Sequence, residues 1–203
     1  DILTVNLFNR DDKYWMYERK GLAIQAGILA NFARKYKFTW RVISNDAFKR
    51  RILDKYNSRG IGSFISFKLR DLNYDINQEY RQAYVFWTNS TLEGFGLTPI
   101  EAMANGTYVI ANKIKTFNEL ISDSPCVSFA DIRFVRPFKF GERGLELCWE
   151  QEYPNINQLY ELVEKALNRE YKYDPKVCWE YAKKFNYMET YKPLVKAVAE
   201  YKR

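Results

Sequence analysis

Residues 84–88, Tyr-Val-Phe-Trp-Thr, and the glycine turn that follows them constrain this chain more than any other feature. The run is short, β-branched and aromatic, as expected of a strand buried on both faces. Gly94 and Gly96 then allow a sharp turn, and without Cβ atoms they leave backbone N–H groups open to a ligand. Thr98-Pro99 reads as an N-cap followed by proline at the first helical position; Ile100, Ala102, Met103 and Ala104 continue the helix, and Gly106 closes it in a left-handed cap. Residues 107–111 form a second buried strand. A strand, glycine turn, helix and strand in that order point a helix N-terminus above the carboxyl ends of a parallel sheet.

Two carboxylates bracket the helix start, Glu93 on the turn and Glu101 within the helix, whose side chain leans back toward the same crevice. Carboxylates accept hydrogen bonds from hydroxyls and do not bind phosphate. A diphosphate on the helix N-terminus with one sugar beside each carboxylate satisfies both groups, which describes a nucleotide diphosphate sugar. Plainer roles stay open: Thr98 and Glu101 have the spacing of a capping box, and Glu93 can be an exposed loop carboxylate.

Elsewhere strands and helices alternate. Strands are expected at 2–8, 38–44, 63–67 and 125–129, helices at 21–33, 47–56 and 75–83. That alternation predicts a doubly wound α/β sheet of about six parallel strands. Residues 132–153 show no periodicity and contain Pro137 and several glycines, so they read as an irregular insertion; helices finish the chain over 155–168, 175–185 and 188–201. Thr116 and Glu119 carry the spacing of another capping box. The sixteen tyrosines suit seams between helix and sheet, where ring and hydroxyl need different surroundings.

Composition narrows the chemistry. The chain has no histidine, which removes Ser-His and Cys-His nucleophiles. Cys126, Cys148 and Cys178 are odd in number and widely spaced, which argues against a zinc site or a disulfide framework and for a reducing, cytoplasmic compartment. A net charge of +7 suits anionic partners, including peripheral contact with an anionic membrane surface, but no basic run is long enough to demand a specific nucleic-acid face. No apolar stretch approaches the roughly 20 residues of a membrane span. No carboxylate cluster has metal-binding spacing, so no metal is expected. A chain that opens at Asp1 and runs straight into a strand reads as part of a longer one.

The run from Glu93 to Ala111 closely resembles the donor-site signature of glycosyltransferase family 4, retaining enzymes of GT-B architecture. The resemblance implies a Rossmann-like domain, one half of a GT-B fold, spanning 1–203. It implies that Glu93 meets the donor sugar and Glu101 the ribose, with Gly94, Phe95, Gly96, Leu97 and Thr98 forming the turn around the diphosphate. By the same resemblance Arg10 and Lys20 neutralise the departing diphosphate, and Phe67 at the strand end and Lys68 just past it lie where the nucleobase binds. The family carries two glycines where this chain has Lys115 and Thr116. The implied partners are a nucleotide sugar, an acceptor, and an N-terminal acceptor domain or separate chain. A non-catalytic nucleotide-sugar-binding module is the alternative.

Overall fold

The computed structural model describes residues 2–5, 19–44, 65–69, 75–140, 147–186 and 192. Six of its strands form one parallel sheet: β1 (Ile2–Val5), β2 (Trp40–Ser44), β3 (Ile65–Leu69), β4 (Val85–Thr88), β5 (Tyr108–Asn112) and β6 (Val127–Ala130). Their order in space is β3-β2-β1-β4-β5-β6, the doubly wound arrangement that the alternation predicts. Every pairing between neighbours is parallel. The chain winds outward in one direction from β1 and in the other from β4, so the junction of these two strands is the topological switch point. A ligand crevice belongs at that point.

Helices α1 (Leu22–Phe32), α2 (Ile76–Gln82), α3 (Leu97–Ala104) and α4 (Lys115–Ile121) cover the sheet, followed by α5 (Ile156–Leu167) and α6 (Pro175–Ala182). All four residues of β4 and all five of β5 are buried. Trp40, Trp87, Phe86, Leu22, Leu29 and Met103 fill the space between the layers. Burying a large apolar side chain contributes about 1.5 to 3 kcal/mol relative to leaving it exposed, so these positions set where the helices dock. Arg41 on β2 is buried too, and its guanidinium lies 3.2 Å from the Glu79 carboxylate on α2. It also donates to Gln82 Oε1 at 3.0 Å, so the charge is not left uncompensated.

At the end of the sheet opposite the crevice, tyrosines close the seam as their number suggests. The Tyr108 and Tyr171 rings stack at 4.6 Å. Tyr84 donates to the Tyr171 carbonyl at 2.9 Å and Tyr173 to the Tyr84 carbonyl at 2.8 Å. Burial pushes the phenols of Tyr84, Tyr171 and Tyr173 above their ordinary range, because the charged phenolate would lose its water.

Several expectations need correction. Residues 132–153 are no irregular insertion: they form an antiparallel hairpin of β7 (Ile132–Phe140) and β8 (Leu147–Pro154), separate from the main sheet. With only two strands each is an edge, so Pro137 costs no central ladder bond. Cys126 and Cys178 are joined in a disulfide, with their Cα atoms 5.5 Å apart, tying the start of β6 to α6. That pairing withdraws the support the cysteines lent to a reducing compartment. Helix α3 starts at Leu97 with left-handed Gly96 as N-cap, so Thr98 is not the cap and Pro99 is the third helical residue. There its missing N–H is still one of those with no partner in the helix. Helix α4 starts at Lys115, which places Thr116 inside it and rules out the capping box with Glu119. Strand β3 runs to Leu69, two residues beyond the expected end, so Lys68 lies within it and not past it. The helices expected at 47–56 and 188–201 lie outside the described residues. Among the described residues no helix is long and apolar enough to cross a membrane.

Candidate functional site

Where the loops after β4 and β5 meet the start of α1, the chain forms a cavity of about 810 Å3. Arg19, Thr91, Glu93, Gly94, Lys115 and Thr116 line it on the sheet side, and Pro137, Trp149, Glu150 and Glu152 on the side of the hairpin. This volume lies within the range of cavities that hold small ligands, about 300 to 1,000 Å3.

Backbone and amide bonds lock the loops around it. Gly21 adopts φ 62°, and a Cβ there would sit 2.2 Å from the Asn89 carbonyl, so only glycine lets the start of α1 approach the loop after β4 so closely. Asn89 Nδ2 donates back to the Gly21 carbonyl at 3.1 Å, and the Thr91 N–H donates to the Arg19 carbonyl at 2.7 Å. Asn112, fully buried at the end of β5, donates to the Ser90 carbonyl at 2.9 Å. The Thr116 hydroxyl donates to the Glu93 carbonyl at 2.9 Å. The loops after β4 and β5 and the start of α1 thus hold together through hydrogen bonds, with backbone groups at most of the joints.

Glu93 is not an exposed loop carboxylate. Its side chain is nine-tenths buried and forms an ion pair with Lys20, and Ser90 Oγ donates to the same oxygen at 2.6 Å. Lys20 and Glu93, far apart in sequence, therefore meet across the switch point. Glu101 lies on α3, one helical turn past the motif turn. Its Oε2 accepts from the Tyr80 hydroxyl on α2 at 3.1 Å, and it is not among the residues lining the cavity. Gly96 is pinned by the core, since a Cβ there would lie 2.4 Å from the Phe117 ring, whereas a Cβ on Gly94 would meet nothing within 4 Å. Phe95 and Leu97 are exposed beside the turn. Arg10 lies outside the described residues, as do the side chains of Phe67 and Lys68.

The structure adds Arg19, Trp149, Glu150 and Glu152 to the residues that the sequence singled out, and it brings Lys115 to the same cavity. Arg19, not Lys20, lines the cavity beside the motif turn. Lys115 and Glu150 form an ion pair at 2.7 Å, which pushes the ammonium above its ordinary pKa and holds the Glu150 carboxyl below the usual range. Glu152 accepts the Lys115 N–H at 2.8 Å, so the end of α4 is capped from β8. The one signal for the hairpin was the density of β-prone residues, Phe134, Val135, Phe138 and Phe140 before Gly141 and Gly144, then Trp149 and Tyr153 after them.

Residues 19–127 match the family of glycosyl transferases group 1. That stretch is more than half of the chain, and the chain belongs to this family. It is 33% identical over 95 residues to the O-antigen chain mannosyltransferase RfbU of Salmonella typhimurium, a match covering 47% of this chain and 23% of that protein. It is 36% identical over 76 residues to the lipopolysaccharide core biosynthesis mannosyltransferase LpsB of Rhizobium meliloti, covering 37% of this chain and 21% of LpsB. The matches thus span less than a quarter of either relative. In three dimensions the chain is similar to the C-terminal domain of the group 1 glycosyl transferase LpcC from Francisella tularensis, with a TM-score of 0.58 and 21% identity over 89% of this chain and 80% of that one. The Rossmann-like sheet is the fold of GT-B glycosyltransferases.

Proposed function

We propose that this chain is the donor-binding half of a retaining glycosyltransferase of family 4, and that it holds a nucleotide diphosphate hexose in the cavity where the loops after β4 and β5 meet the start of α1. The observation that carries the reading is the meeting of Lys20 with Glu93 beside Gly94 at the switch point. Arg19 and Lys20 supply the positive charge that a departing diphosphate needs, a stabilisation made where charge develops. With two cations there, transfer runs without a metal. Glu93 accepts hydroxyls of the transferred sugar and favours positive charge at its anomeric carbon, and Glu101 anchors the ribose from α3. The names of RfbU and LpsB make a mannosyl donor the first to try. The match to a C-terminal domain supports an acceptor-binding half supplied by another part of the protein or by a partner.

Calorimetric titration of the chain with GDP-mannose and with UDP and ADP hexoses tests this, on the wild type and on Glu101→Ala. One nucleotide class binds, and the variant loses the charged hydrogen bonds to the ribose, about 1.5 to 3 kcal/mol or roughly ten- to a hundredfold in affinity. A well-folded wild type that binds no nucleotide sugar refutes the reading.

A further inference from the structure

The β7–β8 hairpin lies beyond the stretch that matches the family, residues 19–127. It is nevertheless fastened to the site. The Glu152 N–H donates to the Thr91 carbonyl at 2.8 Å, the Glu152 carboxylate accepts the Lys115 N–H, and Glu150 pairs with the Lys115 ammonium. Register sorts its residues into two faces. Phe134 stands opposite Tyr153 and Arg136 opposite Gln151 on one; Val135 opposite Glu152 and Pro137 opposite Glu150 on the other. The first face is stiffened by its rings, with Phe134 and Tyr153 stacked at 4.9 Å and the Arg136 guanidinium 5.1 Å from Phe134. Pro137, Glu150 and Glu152 of the second face line the cavity together with Glu93 and Gly94, and Trp149 lines it too.

Glu152 is occupied by the end of α4, but Glu150 and Lys115 are different. Both side chains are well exposed, 60% and 78%, so their pairing does little for the fold, since water screens exposed ion pairs. In the cavity they present an acceptor-only carboxylate beside a donor-only ammonium. Adjacent hydroxyls of a sugar ring, each both donor and acceptor, match that pair. A diphosphate does not, because the carboxylate repels it, and its cations stand at Arg19 and Lys20. We infer that Lys115 and Glu150 are a specificity pair that binds hydroxyls of the transferred sugar. This rests on the donor-site reading above.

The test compares the free nucleotide with its sugar conjugate. GDP and UDP, then GDP-mannose, GDP-glucose and UDP-glucose, are titrated calorimetrically into wild type, Glu150→Gln, Lys115→Gln and the double variant. Affinity for the nucleoside diphosphate stays within about twofold, while affinity for its sugar conjugate falls at least tenfold in each single variant, about 1.4 kcal/mol. The double variant loses less than the product of the two, because the pair acts together. The preference between GDP-mannose and GDP-glucose, where the guanine conjugates bind, also narrows. Equal losses for nucleotide and conjugate, or no loss for either, overturn the inference while leaving the donor site standing. A wild type that binds neither overturns both.

Discussion

The two glycines of the motif turn are chemically alike and structurally opposite, and substituting each by alanine separates binding from folding. A Cβ on Gly94 meets nothing within 4 Å, and the residue's φ lies outside the left-handed region. Gly94→Ala should therefore leave the fold intact, or stabilise it by about 0.4 to 1 kcal/mol by restricting the unfolded chain. Gly96 has φ 80° and caps α3, and its Cβ would lie 2.4 Å from Phe117, a ring only 1% exposed. Left-handed backbone costs a non-glycine residue about 1 to 2 kcal/mol. Overpacking against a buried ring adds about 1 to 3 kcal/mol. Gly96→Ala should lose about 2 to 5 kcal/mol in all, a melting temperature lower by roughly 4 to 20 °C for a chain of this size. For ligand binding the order reverses. The space that a Gly94 methyl would enter belongs to the cavity, so Gly94→Ala should keep its melting temperature and lose at least tenfold in nucleotide-sugar affinity, about 1.4 kcal/mol. Thermal unfolding followed by circular dichroism and calorimetric titration on the same samples give both numbers. If Gly94→Ala binds donor as well as wild type, the turn does not approach the ligand and the reasoning fails.

Reduction of the Cys126–Cys178 bridge, which closes a separation of 52 residues, should destabilise the chain by up to about 4 kcal/mol on a chain-entropy estimate. Cys126→Ala/Cys178→Ala should melt at the same temperature with and without dithiothreitol, and a wild type insensitive to dithiothreitol would contradict the bridge. Raised phenol values make stability present below the unfolded tyrosine pKa near 10 and lost as pH climbs toward the folded values, since the unfolded chain releases those protons first. Urea unfolding between about pH 9 and 11 should show that loss, and Tyr171→Phe/Tyr173→Phe should flatten it; an unchanged slope in the double variant refutes the assignment.

The centre of the sheet was legible because β4 and β5 are buried along their whole length and their sequences are dominated by β-branched and aromatic residues. The turn was legible because glycines with a structural duty leave a local mark. What failed shares one cause, partners far away in sequence. The end of α4 is capped by Glu152 from β8, so Thr116 and Glu119 could imitate a local cap that the chain does not use. The hairpin lacks a simple apolar and polar alternation because both of its faces keep exposed residues, Phe134 and Arg136 on one and Val135 and Pro137 on the other. Cys126 and Cys178 gave no spacing signal, since their meeting depends on α6 returning to the edge of the sheet. The bond from the Tyr80 hydroxyl to Glu101 joins α2 to α3 and likewise left no local mark in the sequence.

The same long-range geometry decides which variant is informative. Lys20 was assigned to the diphosphate and Glu93 to the transferred sugar, and the two are partners with about a tenth of each side chain exposed. Removing either leaves the other charge buried and uncompensated, a loss of about 3 to 5 kcal/mol for a fully buried pair and less for one that water still reaches. A single substitution at Lys20 or Glu93 therefore mixes folding with binding, and a drop in activity would not tell them apart. Among the described residues the Glu101 carboxylate accepts a bond from the neutral Tyr80 hydroxyl and has no partner charge, so its removal perturbs the fold least of the three. A loss of donor affinity in Glu101→Ala with an unchanged melting temperature then speaks for the ribose contact itself.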